Sequence, residues 1–127
     1  DRRVLGDAAR YDDPDVCLLN FYADDDPGAK MGLHQDRAET ADILRRGAPV
    51  VSVSLGADAI FVVCATRDDD DDEKAPKTRV RLRSGDVVCF GGASRLVYHG
   101  VESVAPFADA APTAPRDMRP GRLNLTF

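Results

Sequence analysis

Apolar side chains in this chain come in runs of four to seven residues set between turn signals, lengths that suit strands rather than helices. Val16-Cys17-Leu18-Leu19-Asn20-Phe21-Tyr22 is too brief for a helix and reads as a strand, with Asn20 and Tyr22 on one face. Pro49 opens Val50-Val51-Ser52-Val53-Ser54-Leu55-Gly56, whose alternation sets Val51, Val53 and Leu55 against Ser52 and Ser54. Ala59-Ile60-Phe61-Val62-Val63-Cys64 is nearly all apolar, as a buried strand is. Arg79-Val80-Arg81-Leu82-Arg83 alternates again, with Val80 and Leu82 expected inward and three arginines outward. Ser84-Gly85-Asp86 turns into the strand Val87-Val88-Cys89-Phe90, Gly91-Gly92 breaks it, and Arg122 to Phe127 form the last strand. One or two helical turns are expected within residues 38–47, ending at Gly47. Seven or so strands with little helix make an all-β sandwich or barrel.

At 127 residues the chain is one domain, residues 1–127, large enough to bury a core. No run approaches the length of a membrane span and no signal-peptide pattern opens the chain, so no membrane partner is expected. The chain lacks an initiator Met and Phe127 falls mid-strand, so it reads as a core truncated at both ends. Cys17, Cys64 and Cys89 lie in apolar stretches without metal-type spacing, which fits buried free thiols and an intracellular, reducing compartment. The net charge of −5 is uneven: residues 1–73 hold 8 basic and 18 acidic side chains, residues 74–127 hold 9 and 4. A phosphate-binding face has to use the second half, where Arg79, Arg81 and Arg83 form a candidate stripe beside the plainer reading of a solvated face. The aspartates 24–26 read as a solvated hairpin tip, and Asp68 to Asp72 as a solvated loop.

Met31-Gly32-Leu33-His34-Gln35-Asp36 carries a His-x-Asp on what reads as a strand, so the His34 imidazole and the Asp36 carboxylate share a face. The only other histidine is His99, in Arg95-Leu96-Val97-Tyr98-His99-Gly100. Two histidines and one carboxylate hold a divalent iron on one side and leave positions open on the other. The alternative is a pair of core histidines satisfied by hydrogen bonds. Metal ligands on strands far apart in sequence suit a jelly roll, whose mouth holds a site.

Arg122, Asn124 and Thr126 share one face of the last strand, with Leu123, Leu125 and Phe127 on the other. An inward Arg in an apolar barrel is costly unless an anion pairs with it, and its planar fork matches a carboxylate. Asn124, Asn20 and Tyr22 can add contacts to the same acidic small molecule. Open iron positions beside a carboxylate clamp fit an iron oxygenase whose cosubstrate is a dicarboxylate 2-oxoacid.

Asn-x-Tyr, His-x-Asp, Ser-Val-Ser-Leu-Gly, Ser-Gly-Asp-Val-Val, Ser-Arg-Leu-x-Tyr-His-Gly and Arg-x-Asn-x-Thr occur here in that order, from Cys17 to Phe127. The series resembles the AlkB family of Fe(II)/2-oxoglutarate dioxygenases. The resemblance implies a double-stranded β-helix (jelly roll) and oxidative demethylation of N-alkylated nucleic-acid bases with Fe(II), O2 and 2-oxoglutarate. It implies iron ligands at His34, Asp36 and His99, and an arginine for the far carboxylate of 2-oxoglutarate at Arg122. Tyr22 and Asn124 match its helpers, and Asn20 matches an asparagine nearer the iron. The implied partner is methylated single-stranded DNA or RNA, and the implied protein a monomer.

Three features depart from the family pattern. The family's last motif continues to a second Arg one residue beyond Phe127, so the parent protein is expected to carry Arg there. About twenty residues precede Tyr22, too few for the family's nucleotide-recognition lid. Ala38 stands where bacterial members place a second acidic residue that positions the base, which argues against the selectivity of those members for methyladenine or methylcytosine. Rival expectations are a 2-oxoglutarate oxygenase acting on a protein or small molecule, a non-catalytic binding domain on the same barrel, and a cupin-like metalloprotein.

Overall fold

The computed structural model describes residues 14–65, 76–107 and 114–127. Among these are eight strands: β1 (Leu18–Ala23), β2 (Met31–His34), β3 (Val50–Gly56), β4 (Ala59–Cys64), β5 (Thr78–Leu82), β6 (Val87–Phe90), β7 (Tyr98–Val104) and β8 (Gly121–Thr126). One helix, α1 (Ala41–Arg46), lies between β2 and β3, and a 3-10 turn (Gly92–Ser94) precedes β7. The strands form two antiparallel four-stranded sheets, ordered β1-β8-β3-β6 and β2-β7-β4-β5. Neighbours in each sheet are mostly distant in sequence, the interleaved order of a double-stranded β-helix. The all-β jelly roll with little helix is thus the observed fold.

The first sheet is apolar on the outside. Its register stacks Asn20 on Asn124 and Ser54, and Tyr22 on Arg122, on the inward face. Leu19, Leu125 and Val53 align on the opposite face, as do Phe21, Leu123 and Leu55. Buried residues include Ser54, Arg122 and Asn124, whereas Leu19 is 65% and Val87 58% exposed. Arg122 thus has polar neighbours on this sheet, while Val50 and Phe90 of the same sheet and Phe61 and Val101 of the other give the cavity the expected apolar lining.

Cysteines follow the same geometry. Cys64, on the central strand β4, is buried, but Cys17 and Cys89 are exposed, which corrects the expectation of three buried thiols. Cys17 precedes edge strand β1, and Cys89 sits on edge strand β6, paired with outward-facing Val51. Val80, expected inward, is 42% exposed on edge strand β5, while Leu82 is buried.

Local signals place α1 and the closest strand contact. Thr40 caps the helix, its side chain accepting from the Ile43 N–H, with Asp42 in the first turn and Arg45 and Arg46 in the last. Gly47 ends it at φ 64°, its N–H donating to the Ile43 and Leu44 carbonyls. At Gly100 a Cβ would stand 2.6 Å from the Met31 carbonyl oxygen, so glycine lets β2 lie against β7 immediately beside His99. A small core of Tyr22, Ala59 and Val101, with Met31 packed against it, backs that contact.

The candidate arginine stripe is already engaged. Arg79 makes a two-pronged pair with Glu102, both contacts at 2.8 Å, and Arg81 pairs with Asp58 at 2.6 Å. Two of the three guanidinium groups thus serve ion pairs, one to β7 and one to the β3–β4 turn, rather than a free phosphate face. The run Asp68 to Asp72 lies outside the described residues.

Candidate metal and cosubstrate site

β2 ends at His34, so Asp36 lies two residues past the strand, a correction to the expected continuous strand. The side chains converge all the same. His34 stands opposite His99 in the β2–β7 register, after an irregularity between Met31 and His34. The two rings lie 4.5 Å apart, centre to centre. Asp36 Oδ1 is 3.6 Å from His34 Nε2, and Oδ2 is 3.5 Å from His99 Nε2. All three ligand atoms fall within 4.8 Å of one another.

The tautomers follow from the backbone. His34 Nδ1 lies 2.9 Å from the Gly32 carbonyl and His99 Nδ1 3.1 Å from the Val97 carbonyl. A carbonyl oxygen only accepts, so each Nδ1 carries a proton, and in the neutral ring each Nε2 presents a lone pair. Two lone pairs and a carboxylate then converge at separations too long for good hydrogen bonds. That is an all-acceptor cluster, and a cation between the three satisfies it. With the rings protonated and no cation between them, Asp36 is held below the usual carboxylate range, first by a hydrogen bond from His99, against the upward push of burial; the charges of His99, His34 and Arg95 add to the lowering. Phe90 and Phe61 pack on the His99 ring at 4.8 and 5.7 Å.

Arg122 lies deep in the same cavity, a space of about 270 Å³ also lined by His34, Asp36 and His99. It is 1% exposed. Its Nη2 donates to Ser54 Oγ at 3.0 Å, but Nε and Nη1 are buried without a partner. The Tyr22 ring lies 5.3 Å from the guanidinium carbon. Burial pushes Arg122 below its ordinary range and Tyr22 above its own, while each pulls the other back. Two orphaned donors on a buried cation fit an anion with two oxygens, such as a carboxylate.

Asn20 and Asn124 also line the cavity. Asn124 is more occupied than expected: its Nδ2 donates to Ser52 Oγ at 2.6 Å and to the Val53 carbonyl, while its Oδ1 accepts from Thr126. Its place is to brace the polar face of β8 against β3. Ser52 and Ser54 were legible only as a polar face; their pairing with Asn124 and Arg122 comes from the β3–β8 register.

A second cavity of about 760 Å³ adjoins the first at Asp36, with Arg37, Glu39, Arg46 and Arg95 in its wall. Ala38 also lines it. The Asp36 carboxylate thus stands between a smaller space and a larger one.

The pattern of the 2OG-Fe(II) oxygenase superfamily matches residues 3–127. This chain belongs to that family. Its cofactors, Fe(II), 2-oxoglutarate and O2, agree with the acceptor cluster and the orphaned Arg122 donors. The chain is 45% identical to the DNA N(6)-methyladenine demethylase ALKBH1C of Arabidopsis thaliana over 125 residues, 96% of this chain and 25% of that protein. It is 50% identical to the alpha-ketoglutarate-dependent dioxygenase AlkB of Escherichia coli over 97 residues, 75% of this chain and 39% of that protein. The solved structure of OsALKBH1 superposes with a TM-score of 0.71 at 48% identity, covering 90% of this chain and 49% of that one. The oxygenase chain therefore spans between a quarter and half the length of these relatives. Among its described residues, no helix is long and apolar enough to cross a membrane.

Proposed function

We propose that residues 1–127 are the catalytic core of an enzyme that oxidatively demethylates N-alkylated nucleic-acid bases, in DNA or RNA. The observation that carries this reading is the pair of unpartnered, buried Arg122 nitrogens in the cavity that also holds His34, Asp36 and His99. The names of the relatives support the substrate class.

His34, Asp36 and His99 hold iron through Nε2, a carboxylate oxygen and Nε2, with the Gly32 and Val97 carbonyls fixing the rings. Arg122 grips the far carboxylate of 2-oxoglutarate, with Ser54 and Tyr22 orienting the guanidinium. Asn20 reaches the cosubstrate from β1, and Asn124 stiffens the strand beneath it. The larger cavity receives the base, so that its methyl group approaches past Asp36. The chemistry supplied by bound iron, O2 and 2-oxoglutarate is oxidation of the N-methyl group to N-hydroxymethyl, which leaves as formaldehyde, while 2-oxoglutarate becomes succinate and CO2. The chain's own residues contribute geometry and exclusion of water; no side chain needs to act as acid or base.

The test is product release by the full-length protein with Fe(II), 2-oxoglutarate and methylated single-stranded DNA and RNA, using His99→Ala as the blank. Equal succinate and formaldehyde that depend on a methylated oligonucleotide are expected. Succinate without formaldehyde on every oligonucleotide would move the substrate to a protein or small molecule. Absence of both from folded, iron-loaded protein would leave only a binding domain.

A further inference from the structure

The sheet ladder does not set the distance between Asp36 and His99. β2 ends at His34 and β7 begins at Tyr98, so the carboxylate stands on irregular chain facing the irregular segment before His99. Three side-chain contacts bridge those two segments. Arg95 Nη1 donates to the Asp36 carbonyl at 2.6 Å, and its Nη2 pairs with Glu39 Oε1 at 2.8 Å. From the other side, Gln35 Nε2 donates to the Leu96 carbonyl.

The anchoring end is buried and hydrogen-bonded. Arg95 is 2% exposed and ends the 3-10 turn, where its own N–H donates to the Gly92 carbonyl. The Gly92 N–H in turn donates at 2.8 Å to the carbonyl of Gly47, the helix cap. Two residues beyond Arg95, the Val97 carbonyl orients the His99 ring. One short segment therefore fixes the Asp36 backbone, the Gln35 side chain and the His99 tautomer together.

We propose that Arg95 and Gln35 are positioning residues of the metal centre, a latch that holds the Asp36 carboxylate in register with His99. The inference rests on the metal reading of His34, Asp36 and His99. Neither residue touches the metal; each acts through backbone that carries a ligand. Partners of this kind typically change metal affinity about 10–100-fold when removed.

The test is Co(II) titration of the full-length protein without cosubstrate, followed by its visible absorption, with folding checked by circular dichroism and thermal midpoint. Wild type should bind one Co(II), and His34→Ala should lose it; if wild type binds none, the metal reading itself fails. Arg95→Met is expected to weaken Co(II) binding by at least about 10-fold and to alter its absorption spectrum. Arg95→Lys, which keeps a donor and the charge, should recover part of the affinity. A purely structural Arg95 would lower the thermal midpoint and leave the affinity and spectrum of the folded fraction unchanged, and that result would overturn the latch. Should Arg95→Met not fold, Gln35→Met decides on the same readouts: weakened binding sustains the latch, and wild-type affinity and spectrum reject it.

Discussion

Arg122 opposes stability and function within one side chain. Its two unpartnered nitrogens are a cost in the free protein and, in the proposed function, an asset once a carboxylate arrives. Arg122→Met should therefore leave the thermal midpoint of the ligand-free protein unchanged or raise it. The same change should raise the KM for 2-oxoglutarate by about 10–100-fold, the loss of a charge-assisted hydrogen bond worth roughly 1.5–3 kcal/mol. A midpoint that falls with no change in KM would make Arg122 a structural residue. His34, Asp36, His99 and Arg122 were legible in the sequence because each is chemically conspicuous: there are two histidines in the chain, and an Arg alternates with leucines on the last strand. Arg95 and Glu39 were not, because their role lies in contacts between loops, which no periodicity encodes. Ser54 was visible as a face but not as the Arg122 partner, since only strand register joins residues so far apart in sequence.

Glycine and cap positions decide whether the elements carry the ligands to the right place. Gly100→Ala forces a Cβ against the Met31 carbonyl, a rigid backbone atom, so β2 and His34 must shift. The expected cost is about 1–3 kcal/mol in denaturant unfolding, with weaker metal binding. Gly32 lies on the same strand with nothing within 4 Å of its would-be Cβ, and Gly32→Ala should be the mild control. Thr40→Ala removes the side-chain cap of α1 and should cost about 1 kcal/mol; an unchanged unfolding midpoint would show that Gly47 and tertiary contacts hold the helix alone. At this scale the sequence was read well for extent: Val50–Gly56, Ala59–Cys64 and Val87–Phe90 are strands with the expected ends, and the helix stops at Gly47. Direction was read on β8, where Arg122 was expected inward, and left open on β3. An alternating strand announces two unlike faces, but only the fold says which one turns inward. Here Ser52 and Ser54 of β3 turn toward the cavity with Val50, and Val51 and Val53 turn away.

That facing shapes the whole molecule. A sheet whose polar face lines a site and whose apolar face looks outward presents Leu19, Phe21 and Val87 to solvent, 41–65% exposed. Exposed apolar surface of this kind promotes association and dye binding. The 127-residue chain should enhance the fluorescence of a hydrophobic dye such as anilinonaphthalene sulfonate. The double change Leu19→Lys and Val87→Lys should reduce that signal without altering metal affinity, since both side chains lie on the face away from the cavity. A signal unchanged by the double variant would place the dye elsewhere. Charge asymmetry, by contrast, proved a weak guide: Arg79 and Arg81 of the basic half are occupied by Glu102 and Asp58.

The most direct measurement is anaerobic titration of 2-oxoglutarate into the Fe(II)-loaded full-length protein, followed by visible absorption. A charge-transfer band that saturates with one equivalent, disappears in His99→Ala and needs far more 2-oxoglutarate in Arg122→Met is the expected result. A folded, iron-loaded wild type that shows no band at saturating 2-oxoglutarate would contradict the shared metal and cosubstrate site.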